Sequence, residues 1–192
     1  MNKKISLTVI IILLVIGSVS SQNIRPRNRS IYGSYSILTA KYDHQTFKSD
    51  YAASLMVGRT FFFHKTPIYE NYWIGLDWTV LDLSMAHYKK FTELSETIFN
   101  QMGAGTHIGP SFWYSPVNGL SLNYYFRIAP TFSWVKFKTG GDNFTGYSKY
   151  WVTGVSFSYK LFAMGVEYKW GSTDDSKMKT HGPGFYIGVR LW

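Results

Sequence analysis

A histidine and a serine two residues apart on one β-strand share a face, which brings imidazole and hydroxyl within reach for general-base activation of a nucleophile. The five histidines here stand as His44-Gln-Thr, His64-Lys-Thr, His87-Tyr-Lys, His107-Ile-Gly and His181-Gly-Pro, so none has a serine at that spacing. His107 and Ser111 have the same parity but lie about 13 Å apart along a strand, too far for a proton relay. His107 therefore reads as a hydrogen-bonding residue. With no cysteine in 192 residues, thiolate catalysis, disulfides and cysteine metal sites are excluded. Asp142-Asn143 and Asp174-Asp175 sit in polar stretches without the spacing of a calcium-binding loop, and read as solvated. No catalytic residue, cofactor site or metal site is expected from these patterns.

The elements that would position any such residue are strands. Aromatic residues make up 19% of the chain, and 17 glycines stand against six prolines, a composition suited to pleated surfaces joined by turns. The start, MNKKISLTVIIILLVIGSVSSQ, has two lysines, an apolar run over 5–16 and small residues before Gln22. That is the pattern of a secretory signal peptide, removed in the mature protein. Its apolar run is shorter than the roughly 20 residues of a membrane-spanning helix. The expected organisation is a signal peptide over 1–21, a leader over 22–30 on the periplasmic side, and one domain over 31–192. The net formal charge is +9, but the lysines are scattered rather than clustered, which argues against nucleic acid as a partner.

Past the leader, apolar residues recur with period two. In 120–134, Leu120, Leu122, Tyr124, Phe126, Ile128, Pro130, Phe132 and Trp134 alternate with Ser121, Asn123, Tyr125, Arg127, Ala129, Thr131 and Ser133. One face is apolar along its whole length, enough for a tilted strand that crosses a bilayer in about 9–11 residues. The same sorting predicts strands over 31–42, 50–62, 69–81, 100–114, 150–159, 162–170 and 183–192. Long polar connections at 42–49, 84–98, 138–147 and 171–181 alternate with short ones at 63–67, 117–119 and 160–161. After the strand over 100–114, a three-residue loop, Val117-Asn118-Gly119, keeps both apolar faces on one side. A two-residue Asn-Gly turn would set them on opposite sides. The fold expected is all-β, an eight-stranded antiparallel up-and-down transmembrane barrel with short periplasmic turns and longer extracellular loops. Closure removes the edges that an apolar sheet could not leave open in lipid.

A soluble lipocalin-like barrel is the alternative, with the apolar face turned inward around a ligand. The opposite face favours lipid outside. It is rich in Gly, Ser and Thr with few charges, poor as a water-facing surface but suited to a narrow lumen. Large residues on it fall opposite small ones, with Arg127 across from Gly109 and Glu167 across from Gly154, as an eight-stranded interior demands. The inward set includes Asp77, His107, Arg127, Glu167, Lys169 and Arg190, charges that must pair in so narrow a space. They are expected to form a polar network that plugs the lumen rather than an ion path. Tyr72, Trp134, Trp151 and Trp170 are expected in an aromatic girdle at the membrane interfaces.

Strand number, alternating connections and the C-terminal stretch GPGFYIGVRLW resemble the OmpA/OmpX-type eight-stranded outer-membrane barrels, over the whole mature chain. The resemblance implies an integral protein of a Gram-negative outer membrane, serving membrane integrity, surface contact through its loops, or a larger outer-membrane complex. It also implies contact with outer-membrane lipids and lipopolysaccharide, whose phosphates suit cations at the outer surface. Recognition by the barrel-assembly machinery would run through Phe185, Ile187, Val189, Leu191 and Trp192. Trp192 departs from that signal, because it shares parity with Arg190 instead of the apolar set. The catalytic alternative is a lipid A-modifying enzyme, a deacylase or acyltransferase. Lipid A deacylases carry the absent His-x-Ser pair. Lipid A palmitoyltransferases place prolines in strands, as Pro110 and Pro130 stand here, but measure an acyl chain in an apolar interior, whereas this interior reads as polar.

Overall fold

The structure is a computed structural model and describes residues 26–42, 44–69, 71–92, 95–139, 142–173 and 178–191. The expected signal peptide, Asp174-Asp175 and Trp192 lie outside the described residues. The strands are β1 (Arg29–Ser36), β2 (Thr39–Tyr42), β3 (Gln45–Phe62), β4 (Tyr72–Thr92), β5 (Ser95–Val117), β6 (Leu120–Thr139), β7 (Phe144–Tyr159), β8 (Phe162–Thr173) and β9 (Met178–Leu191). From β3 to β9 each pairs antiparallel with the next, and β9 returns to pair with β1 and β2, which both pair with β3. β1 and β2 are one strand interrupted at Ile37–Leu38, because inward and outward positions alternate unbroken across the gap. The sheet is therefore a closed ring of eight strands with no free edge along its length. β1 begins at Arg29, so the last two residues of the expected leader join the sheet, and Arg27 donates from Nη1 to the Arg190 carbonyl at 3.2 Å.

The segments expected as long loops are strand. Only 43–44, 93–94, 140–143 and 174–177 separate the strands at the distal end, away from the start of β1 and the finish of β9. Two physical reasons account for the correction. In β4 the register against β5 shifts between Thr79 and Asp82, and Val80 and Leu81 both stand exposed. This bulge moves the outward set from even residues (Tyr72, Trp78) to odd ones (Leu83, Met85), so an alternation read with one phase dissolves at 81.

The second reason is an inversion of polarity along the barrel axis. In the proximal part Leu55, Leu83, Ile128, Phe132 and Val166 are exposed while the lumen is largely polar. In the distal part Phe47, Tyr88, Phe99, Phe137 and Met178 form a buried apolar cluster, and Lys41, Lys48, Lys136, Lys138 and Lys179 point outward. The interior is thus not polar throughout, contrary to the expectation above. A membrane-type barrel continues upward as a water-soluble one, and its lysine-rich outer face gives the sequence the look of loops. Each buried phenylalanine there contributes roughly 1.5–3 kcal/mol of apolar burial.

The connection after β5 is a second correction. Val117 pairs with Leu120 across a two-residue Asn118–Gly119 turn, and one extra residue of β5 between Tyr114 and Val117 restores the phase that such a turn alone would lose. Gly119 has φ 82°, and a Cβ there would crowd only the flexible Lys160 Cγ, at 3.2 Å, the Lys160 backbone N and Cα lying at ordinary contact distances of 3.6 and 3.8 Å. Gly119→Ala is therefore expected to destabilise the barrel mainly through its backbone conformation, by about 1–2 kcal/mol. Urea titration of the folded band on unheated gels measures it. A loss indistinguishable from zero would mean that the turn relaxes to another type.

Candidate functional site

The lumen is built in layers, each supplied by inward positions of several strands. At the proximal end Phe62, Trp73 and Trp113 form an aromatic floor with ring centroids 5.6 and 5.8 Å apart. Arg190 lies over Trp113 at 4.0 Å and over Tyr32 at 5.6 Å, so aromatic faces flank its guanidinium, and it lines one small pocket with Asp77 and Arg127. Above the floor Arg127 donates from Nη2 to Asp77 Oδ2 at 2.7 Å. Thr60 donates to Asp77 Oδ1 at 2.6 Å, and Tyr125 offers its ring face to Arg127 at 3.7 Å. Asp77 and Arg127 are buried on β4 and β6, so the pair reaches over the one strand between them, where Gly109 lies beside Asp77.

The middle layer holds the remaining charges. His107 Nε2 meets Asp82 Oδ2 at 2.9 Å, both buried. The Tyr125 hydroxyl donates to Glu167 Oε2 at 3.0 Å, and Lys169 lies over the Tyr150 ring at 4.2 Å. Gln101 donates to the Tyr150 hydroxyl at 2.9 Å. A run of hydroxyls from Ser133 through Ser148 and Thr173 to Tyr150 closes the layer with contacts of 2.7, 2.7 and 3.0 Å. A cavity of about 40 Å³ between Asp82, His107, Glu167 and Lys169 is large enough for water but not for a substrate. The apolar distal cluster covers it.

Each residue singled out from the sequence has a definite place. Asp77, His107, Arg127 and Arg190 are buried in the lumen, and Glu167 and Lys169 line its central cavity. Asp77, Arg127, Tyr125 and Glu167 form one chain of contacts, Asp82 and His107 pair beside the cavity that Glu167 and Lys169 also line, and Lys169 and Arg190 rest on aromatic rings. Asp82, Trp113, Tyr125 and Tyr150 complete these contacts and were not singled out. Trp113 and Tyr125 share the inward parity of their strands, which could have found them, whereas Asp82 lies just past the bulge that flips the phase. Register puts Gly154 opposite Glu167 and Gly165 opposite Ser156. Ser111 accepts from Trp113 Nε1 at 3.0 Å, so it is held to the floor and not to His107. Asn143 Oδ1 accepts the Phe137 N–H at 2.7 Å, closing the β6–β7 connection. Among the described residues no three of His, Asp and Glu gather as a metal site would require.

No protein-family model matches the sequence, and no curated protein is similar to it. Solved structures are similar. The attachment invasion locus protein Ail of Yersinia pestis aligns with a TM-score of 0.50 at 15% identity, over 87% of this chain and 100% of that one. Neisserial surface protein A, NspA, aligns with a TM-score of 0.52 at 13% identity, over 85% of this chain and 97% of that one. The fold is that of the small outer-membrane β-barrels.

On the outside of the barrel Tyr72 packs against Tyr114 at the proximal end, ring centroids 4.9 Å apart. Trp134 packs edge-on against Phe132 at 4.8 Å, two residues before outward-facing Lys136. Trp151 and Trp170 are cross-strand partners, and Trp151 is followed on its strand, toward the distal end, by outward-facing Lys149. Phe185, Ile187 and Leu191 are exposed on β9, Val189 is half-buried, and Tyr186 and Arg190 look inward.

Proposed function

We propose that the protein is a non-catalytic integral barrel of a bacterial outer membrane, acting through the surface it offers to lipid and to partners outside the cell. The observation that carries this reading is the distribution of polarity. Proximal strands are apolar outside over a filled lumen, and distal hairpins are polar outside over an aromatic core. Such a protein has an exterior to work with and no interior route. The aromatic residues Tyr72, Trp134, Trp151 and Trp170 then anchor it at the two interfaces. Phe185, Ile187, Val189, Leu191 and Trp192 serve as the signal for the barrel-assembly machinery. The inward charges hold the wall together, and the distal hairpins are the contact surface for a protein partner outside the cell, as in a larger outer-membrane complex.

The reading is tested in cells of the source bacterium with and without the gene. The protein is expected in the outer-membrane fraction with a gel mobility that shifts on heating. Mass spectra of extracted lipid A are expected to be identical in the two strains. A change in acyl-chain number would overturn the non-catalytic reading in favour of lipid A modification. Recovery in a detergent-free soluble fraction would overturn the membrane reading in favour of a soluble ligand-binding barrel.

A further inference from the structure

The proximal mouth of the barrel encloses a cavity of about 80 Å³. Arg27 of the leader, the β5–β6 turn and Lys160 of the β7–β8 turn form its rim, with Ser115, Ser121, Ser158 and Arg190 on its walls. Two reciprocal bonds seat the leader there. Arg27 Nη1 donates to the Arg190 carbonyl at 3.2 Å, and Arg190 Nη1 donates to the Arg27 carbonyl at 3.3 Å. The two turns are joined by the Lys160 N–H, which donates to the Gly119 carbonyl at 2.6 Å. Arg190 is 3% exposed, its Nε has no hydrogen-bond partner, and among the described residues it forms no ion pair with a carboxylate. Asp77, which shares a smaller pocket with it, is already taken by Arg127 and Thr60. The Trp113 and Tyr32 rings beside it offset only part of the cost of burying such a charge. Among the described residues no carboxylate lines the cavity either, while Lys160 adds a second cation. Ser121 and Ser158 are buried, and the Ser158 hydroxyl reaches only the Ser121 carbonyl, at a long 3.5 Å.

We propose that this mouth binds one compact oxyanion of the phosphate class between the Arg190 guanidinium and the Lys160 ammonium, with the Ser121 and Ser158 hydroxyls as further donors. This goes beyond the function proposed above, since it places a ligand site inside the ring, away from the lipid-facing wall. Size favours a polyatomic ion, because the cavity is several times the roughly 10–15 Å³ that one water needs. Charge favours a dianion. Arg190 and Lys160 bring two positive charges and no carboxylate, which a phosphate matches and a carboxylate matches only by half. Arg27, seated by its own bonds, is the third cation of the rim and is not needed for this match. A guanidinium also presents paired N–H donors to phosphate oxygens, and the Arg190 Nε still lacks an acceptor. The same chemistry belongs to free phosphate and to the terminal phosphate of a larger molecule entering from the proximal side.

The test is a phosphorus NMR titration of the mature chain, folded in a phosphorus-free detergent and buffer. Inorganic phosphate is the probe, with methyl phosphate as the ester and acetate and chloride as competitors. One saturable site per chain is expected, displaced by methyl phosphate and not by equal acetate or chloride. Tighter binding of the free ion or of the ester names the source, and either order upholds the phosphate class. Lys160→Ala, exposed at its turn, should weaken phosphate about tenfold, the loss of one hydrogen bond to a charged group. Arg190→Met should abolish saturable binding. Lys65→Ala removes an exposed cation from the other proximal connection and should bind as the parent does. The heat-dependent gel shift confirms that each variant is folded. No saturable binding by the folded parent, equal displacement by acetate or chloride, or Lys160→Ala binding as tightly as the parent would overturn the site. So would a loss in Lys65→Ala equal to that in Lys160→Ala, since the attraction would then come from the general charge of that end.

Discussion

The Asp77→Ala barrel is expected to unfold at much lower denaturant than the parent, losing about 3–5 kcal/mol, the cost of breaking a buried ion pair from one side. The size follows from what is left behind. Arg127 is buried and donates to Asp77 at 2.7 Å, and Thr60 donates to the other carboxylate oxygen at 2.6 Å. Removal of the carboxylate leaves a guanidinium whose nearest compensation is the Tyr125 ring face at 3.7 Å. Such a contact is worth about 2 kcal/mol when desolvated, less than the cost of a buried unpaired charge. The charge cannot escape to water, because the Phe62, Trp73 and Trp113 floor lies on one side and the distal aromatic cluster on the other. Removing both partners has a different outcome. Asp77→Leu combined with Arg127→Met removes the stranded Arg127 charge, leaves buried Arg190 to its aromatic rings, and should recover part of the loss, since replacing a buried pair by apolar residues is often neutral. Urea titration of the folded band in detergent reads both. A single-variant loss below about 1 kcal/mol would show that water reaches the pair, and the lumen would then be no plug.

Where the sequence was legible, one physical signal sufficed. In 120–134 every second residue is apolar because lipid meets one face and a narrow lumen the other, and β6 follows that assignment throughout. The strand over 69–81 was legible only to its bulge. Past Val80–Leu81 the phase flips, so Asp82 moves inward and the residues beyond it look unpatterned. Further out the environment itself changes sign. Lys136 and Lys138 flank Phe137, which is apolar inward and charged outward, and a rule tuned to lipid reads that as a loop. The same limit applies to the inward charges. Parity tells which residues enter the lumen, but partners come from strands far apart in sequence, as with Asp77 on β4 and Arg127 on β6. Parity along one strand cannot carry that information, since it depends on how the whole ring closes. Arg190 is the sharpest example. Its inward placement is legible from alternation, whereas its rest on Trp113 and Tyr32 depends on the first and last strands meeting.

That meeting closes the ring, and a pair of valine substitutions on the seam isolates it. β1 and β9 pair from Arg29 and Leu191 to Ser36 and Gly184, with Tyr32 opposite Gly188 and Gly33 opposite Ile187. A Cβ on Gly188 would run into the Ile31 carbonyl oxygen and the Tyr32 ring. Tyr32 cannot retreat, because it is buried with its ring 5.0 Å from Tyr186 and beneath Arg190. Backbone would have to move on both strands. Gly188→Val is therefore expected to cost more than the roughly 1–3 kcal/mol of ordinary overpacking. Its consequence exceeds that figure, since an unclosed sheet leaves two rows of backbone donors and acceptors in hydrocarbon. Little or no heat-shifted band should form, and the protein should be lost from the outer-membrane fraction. Gly33→Val is the control on the same seam, one residue from Tyr32. Nothing lies within 4 Å of a Cβ on Gly33, the site faces outward, and valine suits an exposed strand position in lipid. It should fold as well as the parent or gain about 0.5–1 kcal/mol from losing a glycine within a strand. Equal yields of folded Gly188→Val and Gly33→Val would show that the seam tolerates a side chain at Gly188, and closure would then not depend on the space reserved for Tyr32.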